Sequence, residues 1–496
     1  MRFSVGFGSG VIAALTLLAG CGGNGGSPDV ACMGMICPCS EAGIRAAVRE
    51  GGGTFRFDCD GPTEIVTRAE IVIDNDVALN GEGNLTVNGE QRHRVFSVDD
   101  DATVELIGFN VINGRQNEEH GGCIRNAGNL TLTDSVISDC SAGRESGCRT
   151  DDLELLCSEG GGIWNAGTLT LSGSTVSSST SHFGGGIGNR QGSVSLIDSN
   201  VVSSVAQGCR GTGAVVCSGG GGIWNSSSLT LIDSTVSNNR ADWGGGIYSR
   251  GAPTILDGSR ISDNSSGFDG GGLLNFDALT LFDTTVVDNE AGQSGGGIAN
   301  QSPGTLELSS STLSANSAAA AGGALYNPGG AAADLLNATI SGNGANTGGA
   351  IYAGGELTVT SGSLVDNAAP SGSAIYDPRS PGTGSWLMMS TVVVGDCIGS
   401  SLESGGYNIE SPGNTCGLDQ PTDLPSQAEL GLGPLADNGG PTETHALLDG
   451  SVAIDQIPES NCIDGAGEPL STDQRGEPRP GGPGSACDIG AFEFQP

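Results

Sequence analysis

A short unit recurs along the middle of the chain and limits the folds open to it. Two or three glycines are followed by an aliphatic residue, a variable residue and often Asn. Leu-Thr-Leu-x-x-Ser-x-Val-x-x-Asn completes the unit. Copies begin at Gly121, Gly160, Gly184, Gly220, Gly244, Gly270, Gly295, Gly322, Gly348 and Gly372. The aliphatic positions are Ile124, Ile163, Ile187, Ile223, Ile247, Leu273, Ile298, Leu325, Ile351 and Ile375, spaced 39, 24, 36, 24, 26, 25, 27, 26 and 24 residues apart. A unit of 24 to 27 residues reads as one coil of a stacked array. The two long spacings hold insertions.

Within Gly220 to Asn239, Ile223, Leu229, Leu231 and Val236 alternate with Trp224, Thr230, Ile232, Thr235 and Ser237. Such period-two alternation predicts strands. One coil cannot bury its apolar face alone, so it must stack on its copies about 4.8 Å apart. Three short strands per turn, with glycine at left-handed corners, predict an all-β parallel β-helix. Asn239, Asn264, Asn289, Asn316, Asn343 and Asn367 recur at one corner and suit a ladder of side-chain amides. Asp134, Asp198, Asp233 and Asp283 share another position with Gly173, Gly258, Ser310, Asn337 and Ser361, which marks a turn column. Upstream, Cys39 to Val48 reads as a helix N-capped by Ser40 that covers the open end of the stack. Phe55 to Val111 adds less regular coils, for a stack of about 13 coils, on the order of 60 Å.

The chain has 87 glycines among 496 residues, but in doublets and triplets, so collagen is excluded. Against 56 Asp and Glu stand 19 basic residues, all of them Arg, for a net charge of −37. That balance excludes a nucleic-acid partner, which requires a basic face.

The first 20 residues read as a signal peptide: Arg2, then an apolar run from Val5 to Ala19 too short to span a membrane as a helix. Leu18-Ala19-Gly20-Cys21 resembles the lipobox of bacterial lipoproteins. The resemblance implies cleavage before Cys21, lipidation of that thiol, and anchoring in the outer membrane, since Gly22 stands where an Asp would favour inner-membrane retention. Residues 21–38, Gly-rich at first, are expected to be a flexible tether. Fourteen further cysteines fit an oxidising compartment. Candidate disulfides are Cys148/Cys157, Cys209/Cys217, Cys397/Cys416 and Cys462/Cys487. Cys123 would pair with Cys140, and Cys32, Cys37, Cys39 and Cys59 among themselves. The first two would staple the insertions.

The Gly-Gly-Gly-Ile-x-Asn units resemble repeats of polymorphic outer-membrane proteins and of right-handed β-helices, which implies that handedness here. Cys39-Ser40 resembles the opening of the Cys-Ser-Leu-Arg-Glu-Ala cap of bacterial surface β-helices, with only the first two residues kept. Toward the end run Gly406-Tyr407-Asn408-Ile409, Leu432 to Thr442, Thr444 to Leu448, Ala453-Ile454-Asp455, Thr472 to Pro480 and Cys487 to Glu493. In that order they resemble the choice-of-anchor Q domain. The expected layout is therefore residues 39–111 as cap and first coils, 112–396 as repetitive β-helix, and 397–496 as an irregular, disulfide-bearing C-terminal cap. The anchor is expected at Cys21.

No catalytic set emerges. Abstraction of a proton beside a uronate requires a strong base and charge neutralisation, and the arginines are scattered. Inverting hydrolysis requires two flanking carboxylates, and the motifs of pectin-cleaving hydrolases are missing. His93, His120, His182 and His445 lie far apart in sequence, and His445 is expected to make structural hydrogen bonds. Asp74-Asn75-Asp76, Asp99-Asp100-Asp101 and Asp151-Asp152 offer oxygens to Ca²⁺ but at no ligand spacing, so no cofactor is expected.

The residue after each inward aliphatic should point outward. That column includes Trp164, Trp224, Tyr248, Tyr326, Tyr352 and Tyr376, a candidate strip for stacking sugar rings. The expectation is a surface lipoprotein that adheres or binds glycans without catalysis, with polysaccharide or a neighbouring surface protein as partner. A polysaccharide lyase or hydrolase and a passive stalk are the alternatives.

Overall fold

The computed structural model describes residues 31–495 except 118, 144–148, 152–153, 209–217, 380–385, 400–401 and 483–484. It is a parallel β-helix. In one coil the strands are Ile223–Asn225, Ser228–Ile232, Thr235–Ser237 and Arg240–Ala241. Each pairs in parallel with its copy one coil on, as in Ile223↔Ile247, Leu231↔Leu256, Val236↔Ile261 and Arg240↔Ser265. A coil thus has four strands and not three. The fourth is a two-residue piece that alternation alone does not mark. Among the described residues the strands form stacks of 13 and 8, and a sheet of 27 that spans two faces. The two faces join because Val77–Asn88 and Thr103–Ile112 run unbroken round the corner between them.

Ile223, Leu229, Leu231 and Val236 are fully buried, and their counterparts in other coils form one continuous core. Burying each such side chain contributes about 1.5–3 kcal/mol. The polar corners pass hydrogen bonds along the axis. Asn239, Asn264, Asn289, Asn316, Asn343 and Asn367 form a buried ladder, each Nδ2 donating to the next Oδ1 at 2.9–3.0 Å. A second amide ladder joins Asn126, Asn165, Asn189 and Asn225, and resumes through Asn275, Asn300 and Asn327. Between its halves Ser249 and Thr254 hydrogen-bond each other at 2.6 Å. A third column receives backbone N–H groups on Ser174, Ser199, Ser234, Ser259, Thr284 and Ser311 hydroxyls.

The turn column from Asp134 to Ser361 is left-handed throughout, with φ between 47° and 57°. At Gly173 and Gly258 a Cβ would strike the carboxylates of Asp134 and Asp233, one coil back. Glycine there makes room for the preceding Asp.

Helix Glu41–Glu50 closes the N-terminal end, with Ser40 Oγ accepting the Gly43 N–H at 3.1 Å. Residues 32–38, expected within a flexible tether, are ordered on the stack. Ile36–Pro38 pairs with Thr54–Asp58, and disulfides Cys32–Cys37 and Cys39–Cys59 fasten this start to the stack. Cys123–Cys140, Cys397–Cys416 and Cys462–Cys487 are also bonded. Cys157 is disulfide-bonded, whereas Cys21, Cys148, Cys209 and Cys217 lie outside the described residues.

Coiling does not stop at residue 396. Cys397–Ile398, Leu402–Gly406 and Ile409–Ser411 still pair on the preceding coil. Nor does the remaining chain simply cap the end: it folds back along the flank. Thr442 donates its hydroxyl to Ser310 O, Thr312 to Glu443 O and Thr339 to Gln474 Oε1. His445 Nδ1 donates to Gly433 O at 2.8 Å, so its Nε2 accepts from the Ser341 hydroxyl at 2.9 Å. Outward Thr and Ser at these positions offer hydroxyls that a strap can satisfy. The turn column changes with this cover. Asp occupies it at 134, 198, 233 and 283, but Asn337 and Ser361, buried near the strap, are neutral. A buried unpaired carboxylate there would be costly.

Asn289→Ala leaves the backbone and side-chain N–H groups of Asn264 without their acceptor, and removes the donors to Ile261 O and Asn316. A loss of about 2 kcal/mol or more is expected, read as a lower guanidinium midpoint. An unchanged midpoint would refute the ladder's role.

Candidate functional site

The aromatic column exists in register but is interrupted. Arg125, Trp164, Gly188, Trp224, Tyr248, Leu274, Ala299, Tyr326, Tyr352 and Tyr376 are successive neighbours across the coils. Leu274 and Ala299 are buried, and the six Trp and Tyr are half-buried. The strip therefore divides into two groups.

In the C-terminal group the rings stack on each other. Tyr326 and Tyr352 centroids are 4.9 Å apart, and Tyr352 and Tyr376 are 5.7 Å apart. The coil step is about 4.8 Å, a ring-stacking distance. Tyr326, Tyr352 and Tyr376 thus turn part of their faces to one another. Burial raises the Tyr326 and Tyr352 phenols above their ordinary value.

The N-terminal group is paired differently, and burial raises the Tyr248 phenol as well. Trp224 tilts at 52° against Phe183, and Tyr248 at 39° against Phe276. Beside them Trp243 stacks on Phe268 at 4.9 Å. Phe183, Trp243, Phe268 and Phe276 escaped the sequence reading because they lie outside the outward column. Their signal was position: Phe183 and Trp243 stand directly before a glycine corner.

Next to this patch lies a charged cluster. Glu159 is buried, with Oε2 accepting from Trp164 Nε1 at 3.0 Å and Oε1 from Arg190 Nη1 at 2.5 Å. A Cβ at Gly188 would collide with Gly160 N and crowd Glu159 Cβ, so glycine lets the Glu159–Gly160 backbone come close at this gap in the column. His120 stacks on Trp164 at 5.3 Å, and the Arg125 guanidinium lies 5.3 Å from the same ring. Consecutive backbone N–H groups fix two histidines: Ser158 donates to His182 Nδ1 and Glu159 to His120 Nδ1. Residues far apart in sequence are thus brought to one corner, where both histidines carry their proton on Nε2. Burial raises the Glu159 carboxyl against the opposing pull of Arg190 and Trp164. Burial, aided by Arg190, lowers His120 to about 4.

The acidic runs Asp74 to Asp76 and Asp99 to Asp101 lie at one corner of adjacent coils, where the Asp99 N–H donates to Ile73 O. Among the described residues no group of three His, Cys, Asp or Glu side chains could hold a metal. Asp152 lies outside them. The Arg-rich C-terminal motif is a clamp: Asp473 accepts from Arg475, which lies 3.6 Å over the Phe492 ring, and Arg479 pairs with Glu493. Burial raises Glu493 to about 7.

Residues 159–343 match a family model described as a right handed beta helix region. With the parallel stack described above, this identifies a right-handed parallel β-helix. No curated protein matches the chain. Among solved structures, the crystal structure of pectate lyase Pel9A is similar at 11% identity, covering 91% of this chain and 90% of that one, with a TM-score of 0.35. Likeness at that level carries no activity across.

His120 protonates less readily in the fold than in the unfolded chain, whose histidine titrates near 6.5. Unfolding therefore takes up a proton between those values, and the stability from neutral His120 is complete above about 6.5 and lost as pH falls toward 4. His120→Gln should flatten that part of the profile of thermal midpoint against pH. A His120 ring signal that titrates near 6.5 by NMR would contradict the burial.

Proposed function

We propose that this chain is a lipid-anchored surface protein whose β-helix binds glycans without catalysis. The observation that carries the reading is the half-exposed aromatic patch of Phe183, Trp224, Tyr248 and Phe276, spread over successive coils. Tilted rings leave apolar faces for the C–H faces of sugars, and Ser and Thr hydroxyls around them supply hydrogen bonds. A rigid stack repeating every 4.8 Å or so suits an extended polymer better than a compact ligand. Lipidation at Cys21 would tether it to the outer membrane, and the net charge of −37 opposes adsorption to other anionic surfaces.

A polysaccharide lyase or hydrolase is the second reading, favoured by the meeting of Glu159, Arg190 and His120 at one corner. Against it, both carboxylate oxygens are already engaged, and His120 stays neutral well below pH 7.

The test is retention of the full chain on immobilised acidic and neutral polysaccharides, with unsaturated products and new reducing ends measured in the same samples. Binding without cleavage is expected. Trp224→Ala combined with Tyr248→Ala should weaken it by on the order of tenfold or more. Tyr352→Ala, whose ring faces are partly occupied by its neighbours, should matter less. Cleavage would establish the enzyme reading, and neither retention nor cleavage would leave a stalk or a protein-binding adhesin.

A further inference from the structure

Around Trp164 the surface differs in kind from the rest of the molecule. Arg125 precedes Trp164 in its column by one coil, and Arg190 sits two residues beyond Gly188, one coil after it. The two guanidiniums thus hang from coils two steps apart, roughly 9.6 Å, on either side of one indole. His120 Nδ1 is occupied by the Glu159 N–H, so the ring's remaining nitrogen is a donor beside the same indole. The Arg190 side chain is 50% exposed although its Nη1 is held by a carboxylate only 5% exposed. Its other N–H groups remain as donors.

The energetics of Glu159 need explanation. Burying a carboxylate is costly even with a cation beside it. What it achieves is local: it fixes the indole edge of Trp164 through Nε1 and the guanidinium of Arg190, both at the surface. An apolar side chain would pack against Gly188 more cheaply, but it would orient neither group.

We propose that this corner is a subsite for an anionic sugar, the carboxylate-bearing residue of an acidic polysaccharide. Arg125 and Arg190 are its charge partners, Trp164 is the ring on which His120 and Arg125 rest, His120 adds a donor, and Glu159 is a positioning residue. The proposal rests on the glycan-binding reading and narrows it to a substrate class. Among the described groups turned outward here the Glu119 carboxylate is paired with Arg94, and Arg125, Arg190, His120 and Trp164 are donors or an aromatic ring. Arginine is suited to carboxylates by its planar fork of N–H groups. In a chain of net charge −37 an acidic polymer would be repelled elsewhere, so these two arginines would set where it lies.

The test compares binding of the full chain to polygalacturonate and to neutral dextran by affinity electrophoresis, with and without added NaCl. Tighter binding of polygalacturonate is expected, with an advantage that salt reduces. Arg125→Gln and Arg190→Gln should each weaken polygalacturonate binding about tenfold, the loss of a charge-assisted contact, and leave dextran unchanged. Trp224→Ala with Tyr248→Ala should reduce both. Arg190→Gln leaves Glu159 without its cation, so its thermal midpoint is measured alongside. Arg125→Gln, on the surface, keeps the test decisive if that variant unfolds. Equal binding of both polymers, or arginine variants that bind polygalacturonate as the parent does, would overturn the subsite and leave general glycan binding standing. Retention of neither polymer would remove both.

Discussion

Everything in this molecule follows from one constraint: each coil must hydrogen-bond in register with a copy of itself. Parallel pairing places equivalent residues of successive coils directly above one another, as in Ile163↔Ile187↔Ile223↔Ile247. Any property of one position is therefore repeated along a column. An aliphatic column becomes a core without further specification. A polar column buried at a corner must satisfy itself, and Asn does so because it is donor and acceptor at once. An isolated buried amide would be a liability; a row of them closes its own account along the axis.

The same rule governs the columns that could not simply repeat. Like charges stacked at the coil step repel each other. In the turn column Asp198 and Asp233 do stand on adjacent coils, but Asp at 134 and 233 is followed by glycine, and neutral residues take over at Asn337 and Ser361, where the strap lies. Where two carboxylates do approach, the cost is visible: burial and the nearby Asp257 raise Asp283 to about 6. Aromatic rings obey the rule in another way. On consecutive coils they find partners at the coil spacing, and Tyr326, Tyr352 and Tyr376 become largely a structural stack.

Much of the fold was legible because periodicity is a property of the sequence itself. The coil length, the inward aliphatics, the Asn239 to Asn367 ladder and the Ser40 cap follow from spacing and residue chemistry. The fourth strand was not legible, since Arg240–Ala241 is too short to alternate. The path of the strap was not legible either. Its contacts, such as Thr442 with Ser310, join positions 132 residues apart. The site was half legible. An outward column can be counted, but whether its rings face solvent or each other depends on the distance between coils and on tilt. The cluster at Glu159 was hidden because His120, Glu159 and Arg190 fall outside the repeat's consensus.

That irregularity points to where function can lie in such a fold. A perfect repeat offers the same shallow surface at every level, and its polar groups are consumed by the ladders. Recognition of one chemical group requires a level that differs from its neighbours. Here the difference is concentrated. The spacings of 39 and 36 residues fall on either side of the Trp164 to Gly188 step, and both insertions precede a glycine corner in the sequence. The described part of the first insertion pairs Arg149–Asp151 with Glu154–Leu156, and the chain re-enters the coil at Ser158 and Glu159. Those residues hold the two histidines and Arg190. A break in the repeat thus supplies what the repeat cannot, an ordered set of donors gathered across adjacent coils.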